Sequence, residues 1–337
     1  MNCEWRDKIF LVEENSFEQL ALAIFNFQYN ENTVYKSYIN ALSIKPGAIN
    51  KIEEIPFLPI SFFKTDKIKT GKFNAEEIFE SSGTTQSVKS RHHVKDVSIY
   101  TESFAKAFGN SYGSITEWCI LGLLPSYLEK GNSSLVYMVD HLITKSRHPL
   151  SGFYLYDFDK LKETLISLEK GKQKAILIGV TYALLDFAEK FPMKLTHTTI
   201  METGGMKGRR KELTRVEVHE LLKKAFGKLE IHSEYGMTEL LSQAYGEKEG
   251  KFRCPKWMKV LIRDDEDPLT VRRSISSGQD NETKPLTGAI NVIDLANVYS
   301  CSFIATDDVG KLYPDDRFEV LGRLDGSDLR GCSLLTV

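Results

Sequence analysis

The sequence predicts an α/β fold, with mixed sheets flanked by helices and a smaller β-rich portion after them. Three observations predict it. Short apolar runs alternate with amphipathic helical patterns between residues 117 and 232, the rhythm of a mostly parallel sheet covered on both faces. Helix punctuation falls between these runs, best seen in the capping box of Thr214 with Glu217 and in the closing Gly227. Beyond residue 256 the helical patterns stop, and strand-like runs are joined by polar loops.

Taken in order, the first seventy residues are helical and amphipathic, with Phe17, Leu20, Ala21, Ile24, Phe25 and Phe27 forming a broad apolar stripe. Pro56 and Pro59 then interrupt an apolar loop over 55–63. Residues 117–125 read as a buried strand and 133–145 as a helix with Leu135, Val136, Val139, Leu142 and Ile143 on one side. A helix over 159–170 is stopped by Gly171, and the run KAILIGV at 174–180 is a short buried strand. A helix over 182–191 ends before Pro192, a β-branched strand follows over 195–201, and the capped helix spans 214–226. Residues 228–232 read as the next strand. In the last part, 259–263, 289–295, 302–306 and 318–321 read as strands, and 274–284 as a Ser-, Gly-, Asn- and Asp-rich flexible loop.

Composition narrows the function classes. The 337 residues are 42% hydrophobic and 27% charged, with 44 Lys and Arg against 46 Asp and Glu, a net charge of -2. Nothing there favours nucleic acid or an anionic membrane. No apolar run is long enough to span a bilayer, so no membrane insertion is expected. The five cysteines, Cys3, Cys119, Cys254, Cys301 and Cys332, are odd in number and show no CxxC spacing. That argues against a disulfide framework or a zinc site and points to a reducing cytoplasm.

Five segments carry chemistry. The run Ser81, Ser82, Gly83, Thr84, Thr85, Gln86, Ser87, Val88, Lys89 sets small hydroxyl residues around a glycine, with a lysine after them. Backbone amides and hydroxyls of such a loop approach an anion closely, although the second glycine of a Walker A loop is missing; a polar surface loop is the plain alternative. Thr203, Gly204, Gly205, Met206, Lys207 and Gly208 follow a strand, where glycines permit close approach to a flat ring or simply make a turn. Ser233, Glu234, Tyr235, Gly236, Met237, Thr238 and Glu239 lie where ligands gather at the carboxyl ends of parallel strands. Tyr235 offers a face for a purine, Thr238 a hydroxyl, and Glu239 a carboxylate for magnesium. Thr306-Asp307-Asp308-Val309-Gly310 and Gly322-Arg323-Leu324-Asp325 supply an Asp suited to ribose hydroxyls and an Arg suited to sugar or phosphate, or are β-turns.

Together, in this order, the five resemble the adenylate-forming superfamily of acyl-CoA synthetases, luciferases and peptide-synthetase adenylation domains. The resemblance covers roughly residues 55–337. It departs at Gln86 and Val88, where Gly and Pro are usual, and at Asp307, which replaces a Gly. It implies the large N-terminal adenylating domain, with the C-terminal mobile domain and its lysine absent, since no lysine follows Lys311. That ending, with Arg91-His92-His93 after the phosphate loop and Arg330-Gly331-Cys332 near the terminus, resembles the acyl-protein synthetase (LuxE-type) family.

The pattern along the chain divides it into three segments: a helical piece over 1–75 packed on the main domain, an α/β core over 76–256 with the expected phosphate and adenine loops, and a β-rich subdomain over 257–337. The resemblance carries the site roles. It further implies ATP and magnesium as cofactors, with Ser81, Ser82, Gly83, Thr84, Thr85, Ser87 and Thr238 on the phosphates. Gly204, Gly205, Tyr235, Gly236 and Met237 would frame adenine, Asp308 and Arg323 would hold ribose, and Glu239 would bind magnesium. Cys332 would take the acyl group from the adenylate, a step that needs a thiolate. His92 or His93 would reach the phosphates or the carboxylate, or occupy a solvated loop; Lys89 and Lys207 are candidates to stand in for the missing lysine. The expected function is ATP-dependent activation of a fatty or aromatic acid, followed by transfer to Cys332 or to a partner such as a reductase or an acyl carrier protein. The alternatives are ligation to a carrier protein or coenzyme A, and a nucleotide-binding regulatory module without turnover. An apolar acid pocket would be lined by Tyr112, Leu123, Leu124, Tyr127 and Tyr182.

Overall fold

The computed structural model describes residues 3–81, 88–124, 132–204, 213–264, 266–273 and 284–324, with side chains from Trp5 onward. The strands are β1 (Leu58–Pro59), β2 (Glu77–Glu80), β3 (Arg91–Val94), β4 (Cys119–Leu123), β5 (Gly152–Phe153), β6 (Ala175–Gly179), β7 (Thr198–Glu202), β8 (His232–Tyr235), β9 (Ala244–Lys248), β10 (Lys251–Arg253), β11 (Met258–Arg263), β12 (Val271–Arg272), β13 (Leu286–Asp294), β14 (Phe303–Leu312) and β15 (Phe318–Arg323). The helices are α1 (Cys3–Phe10), α2 (Glu14–Glu31), α3 (Thr33–Ala41), α4 (Phe62–Thr65), α5 (Val97–Tyr112), α6 (Ser134–Ser146), α7 (Phe158–Lys170), α8 (Thr181–Lys190) and α9 (Arg215–Phe226).

One 13-stranded sheet runs through all three sequence segments in the order β12-β11-β13-β14-β15-β10-β9-β8-β7-β6-β4-β5, with β1 alongside β14. From β5 to β8 the pairing is parallel; from β8 outward through β9 it is antiparallel. The parallel strands β4 and β6 are buried at every position, as expected where helices cover both faces. The switch from parallel to antiparallel falls at β8, on the strand that carries Tyr235.

The N-terminal helices are bound to the far half of the sheet. Gln28 on α2 donates to the carbonyls of Asn297 and Val298 at 3.0 Å each, and its Oε1 accepts from the amide of Ser302 at 3.0 Å. Phe25 and Tyr35 pack on Phe303. The stripe read from the sequence is the buried face of α2 at Phe17, Ala21, Ile24 and Phe25, with Leu20 and Phe27 half-buried at its margin.

Two sequence expectations are corrected. The strand expected at 228–232 is β8 at His232–Tyr235 instead. Gly227 is left-handed, the chain caps α9 through Lys228 N to Lys223 O, and Leu229 is exposed, so pairing begins only where His232 meets Met201. The strands expected at 302–306 and 318–321 continue to Leu312 and Arg323. The segment 306–310 is therefore strand rather than a turn. Partners Ala289↔Val309 and Asn291↔Ala305 leave Thr306, Asp307 and Asp308 opposite Ile290 alone. Such a bulge bends the strand and re-aims its side chains.

Candidate active site

The segment read as a phosphate loop follows β2 and precedes β3, which pair antiparallel. The amide of Ser81 donates to Ser90 O at 3.1 Å, and the amide of Ser90 donates to Ser81 Oγ at 2.9 Å, which closes the ends of the loop. Glu80 holds Lys89 at 3.0 Å and Arg91 at 3.3 Å. Lys89 lowers the Glu80 pKa, with smaller help from Arg91. Ser82, Gly83, Thr84, Thr85 and Ser87 lie outside the described residues.

Alternation along β3 sends the two histidines to opposite sides. His92 is fully buried, and its Nδ1 donates to Thr238 O at 2.8 Å. Burial lowers its pKa to about 4, only partly opposed by the Thr238 bond, so the ring is neutral. His93 is half-buried, and its pKa is lowered by burial and by Lys69, Lys67 and Arg91. The structure thus brings His92, not His93, to the Thr238–Glu239 segment.

That segment is anchored from several sides. Asn297 Nδ2 donates to Glu239 O at 2.8 Å, and the amide of Leu241 donates to Asp294 Oδ2 at 2.8 Å. Glu239 is 1% exposed, on a turn in which Leu240 N reaches Met237 O at 3.1 Å. Met237 is half-buried. At Gly236 an added Cβ would lie 2.4 Å from Glu234 Oε1, so only glycine fits there without displacing that carboxyl.

Tyr235 closes the link to the C-terminal strands. It is 7% exposed and packs edge-on against Phe318 at 5.2 Å, tilted against Phe252 at 5.7 Å. Its hydroxyl donates to Asp308 Oδ2 at 2.9 Å. Asp308 and Arg323 are direct partners across β14 and β15. Arg323 pairs with Asp307 at 2.7 Å and lies 3.7 Å from Asp308 Oδ1. Tyr235, Asp308 and Arg323, 88 positions apart at the extremes, thus form one contiguous group.

Sequence reading missed the Glu202 centre. Glu202 ends β7, pairs with Ser233, and accepts from Ser233 Oγ at 2.7 Å and Arg215 Nε at 3.2 Å. His219 Nε2 stands 3.6 Å away. The other oxygen accepts from Thr181 Oγ1 at 3.3 Å and from the Gly204 amide at 2.7 Å. Burial opposes the charge, but His219, Arg215 and Ser233 outweigh it and hold the pKa down at about 2. Glu202 therefore fixes the turn at Gly204, whose φ of 75° is left-handed. The available signal was a lone glutamate ending a β-branched strand directly before Thr203-Gly204. Gly205 and Lys207 lie outside the described residues.

Of the proposed acid-pocket residues, Leu123, Leu124 and Tyr182 are core side chains, Tyr112 is half-buried and bonds to His232 Nδ1 at 3.1 Å, and Tyr127 lies outside the described residues. Cys332 also lies outside them. Burial pushes the Cys119 thiol up to about 11 and the Cys301 thiol up to about 12, and drives Cys254 far above the usual thiol range. No helix among the described residues is long and apolar enough to cross a membrane.

A mixed sheet that switches from parallel to antiparallel pairing at β8 is a fold this chain shares with solved coenzyme A ligases. It superposes on a 2-hydroxyisobutyryl-CoA ligase in its postadenylation state with a TM-score of 0.61, at 11% identity, covering 98% of this chain and 73% of that one. The o-succinylbenzoate coenzyme A synthetase of Bacillus subtilis gives 0.47 at 17% identity, over 76% of this chain and 53% of that one. The chain belongs to the acyl-protein synthetase, LuxE, family, whose model matches residues 10–336. A long-chain-fatty-acid–luciferin-component ligase of Aliivibrio fischeri is 24% identical over 97% of this chain and 92% of its own length. With that membership the chain is an AMP-forming ligase.

Proposed function

We propose that this chain activates a fatty acid with ATP and magnesium to an acyl-adenylate, then hands the acyl group to a thiol. The observation that carries the reading is the junction at β8. There the hairpin of the phosphate loop, the Thr238–Glu239 turn and the Asp308–Arg323 pair are joined by the His92–Thr238 and Tyr235–Asp308 bonds.

In the first step a carboxylate oxygen of the acid bonds to the α-phosphorus, and the bond to pyrophosphate breaks. The chain's own part is positioning and charge neutralisation. The hydroxyls and amides of 81–87, with Thr238, receive the phosphates, and Lys89 adds charge beside them. Gly204, Gly205, Tyr235, Gly236 and Met237 frame the base, and Asp308 with Arg323 takes the ribose. Glu239 would hold magnesium. It fits that role as a carboxylate on a turn pinned at both carbonyls by His92 and Asn297, since magnesium takes one or two carboxylates together with substrate phosphates. When bound, the ion offsets charge on the phosphates.

In the second step a thiolate bonds to the acyl carbon and AMP leaves. The raised thiols of Cys119, Cys254 and Cys301 make poor nucleophiles. Cys3 and Cys332, whose side chains lie outside the described ones, remain; the placement of Cys332 near the terminus favours it, or a thiol on a partner such as a reductase or an acyl carrier protein, as the acceptor.

The test is acid-dependent exchange of labelled pyrophosphate into ATP across short, long-chain and aromatic acids, with long-chain acids expected to support it. ATP binding without exchange for any acid would return the chain to a regulatory module. Mass spectrometry after turnover should show an acyl adduct that Cys332→Ala abolishes; an adduct persisting in that variant would remove Cys332 from the reaction.

A further inference from the structure

The face of β8 turned towards α5 carries polar chemistry that the adenylation reading does not use. Glu234 and Tyr245 are direct partners across β8 and β9, so their side chains share a face. The Glu234 carboxyl folds over Gly236, where an added Cβ would meet Glu234 Oε1 at 2.4 Å and Gln243 Cγ at 3.4 Å. Gln243 therefore stands beside it.

Among the described residues, two of these three side chains keep polar atoms without a partner. Gln243, 3% exposed, spends Nε2 on the Tyr100 hydroxyl at 3.5 Å and leaves Oε1 without a partner. Tyr245, 4% exposed, leaves its hydroxyl without one. Glu234 is 9% exposed, and its pKa is pushed up to about 8 by burial and then by Glu202. The neighbouring tyrosines are committed elsewhere, Tyr100 donating to Ser134 O at 2.9 Å and Tyr112 meeting His232 at 3.1 Å.

Buried polar groups in native proteins are almost always satisfied, so a cluster that is not asks for a ligand or a water. The chemistry names the ligand group. Gln243 Oε1 only accepts, the Tyr245 hydroxyl donates or accepts, and a neutral carboxyl does both. A hydroxyl, which also does both, answers all three. A methylene answers none of them, and an ammonium would require Glu234 to be ionised against its burial.

We propose that Glu234, Gln243 and Tyr245 form a hydroxyl-recognition subsite, by which the enzyme prefers a hydroxylated carboxylic acid to the unsubstituted acid of equal length. The proposal rests on the adenylation reading and deepens it. A site built to hydrogen-bond a substrate hydroxyl discriminates against the analogue that lacks it, because its own polar groups are then left unpaired.

The experiment is pyrophosphate exchange with length-matched acids, plain or bearing a hydroxyl at position 2, position 3 or the chain end. One hydroxylated acid should show a KM lower by about tenfold or more than its plain counterpart. Tyr245→Phe and Gln243→Met should bring that ratio towards one. Tyr245→Phe removes a single oxygen and keeps the ring contact with Tyr112 at 5.4 Å, so it tests the subsite even if Gln243→Met does not fold. Equal KM values, a preference unmoved by either variant, or a preference for an amino-substituted acid would each overturn the proposal. If no acid supports exchange, the adenylation reading fails separately. Calorimetric binding of the same acid pairs then decides the subsite: preferential binding of the hydroxylated acid, lost in Tyr245→Phe, upholds it, and equal or absent binding overturns it.

Discussion

Glu202 and Glu234 are buried glutamates on adjacent strands, and they end in opposite states. Glu202 faces α9, which supplies Arg215 and His219, while Ser233, Thr181 and the Gly204 amide complete its shell. Its pKa is about 2. Glu234 faces α5, which supplies Tyr100, and its pKa is about 8. Burial pushes both upward, and only fixed donors with a cation reverse it. One strand thus separates a charged carboxyl group from a neutral one.

The largest expected effect comes from stripping the charged face. Arg215→Ala leaves Glu202 buried beside no fixed cation, and stability should fall by about 3–5 kcal/mol in urea unfolding. A loss below 1 kcal/mol would mean that His219 and the neutral donors suffice.

The pH dependence of stability should separate the two glutamates. Glu234 has a folded pKa above its ordinary value of 4.5, so the native state keeps a proton that the unfolded chain releases. Its contribution is present below pH 4.5 and is lost as pH rises through about 8. Glu202, lowered from 4.5 to about 2, contributes above pH 4.5 and loses it as pH falls towards 2. Glu234→Gln should flatten the decline between pH 4.5 and about 8 and stabilise the protein at pH 8 by on the order of 2 kcal/mol. Persistence of the decline in that variant would break the comparison.

Two smaller effects sharpen it at the site. His92→Phe removes the bond to Thr238 O and should weaken stability by about 1 kcal/mol. It should also slow pyrophosphate exchange through kcat rather than KM, because it frees the turn that carries Glu239. An effect on KM for ATP alone would make His92 a binding rather than a positioning residue. Tyr235→Phe removes one hydrogen bond to Asp308, and about 1 kcal/mol should appear as a several-fold rise in KM for ATP.

Much of the fold was legible because its signals are local. The run KAILIGV became β6, and Thr214 with Glu217 caps α9 by the predicted box. The misplaced strand at 228–232 shows the limit. Leu229 and Ile231 look strand-like, but a strand exists only where a partner exists, and Met201 and Glu202 pair with His232 and Ser233. The same limit hid the bulge at Thr306–Asp308, which is defined by its register against β13.

The sequence by itself determined the family, through five short segments in a fixed order, and the alternation of strands and helices that carries them. Tertiary structure alone decided which histidine of the pair reaches Thr238 and how Tyr235, Asp308 and Arg323 meet. It also decided that Glu202 is charged and Glu234 neutral. The physical reason is that side-chain direction follows from strand register, and a carboxyl's protonation from the donors that register brings to it, neither of which is written in neighbouring residues.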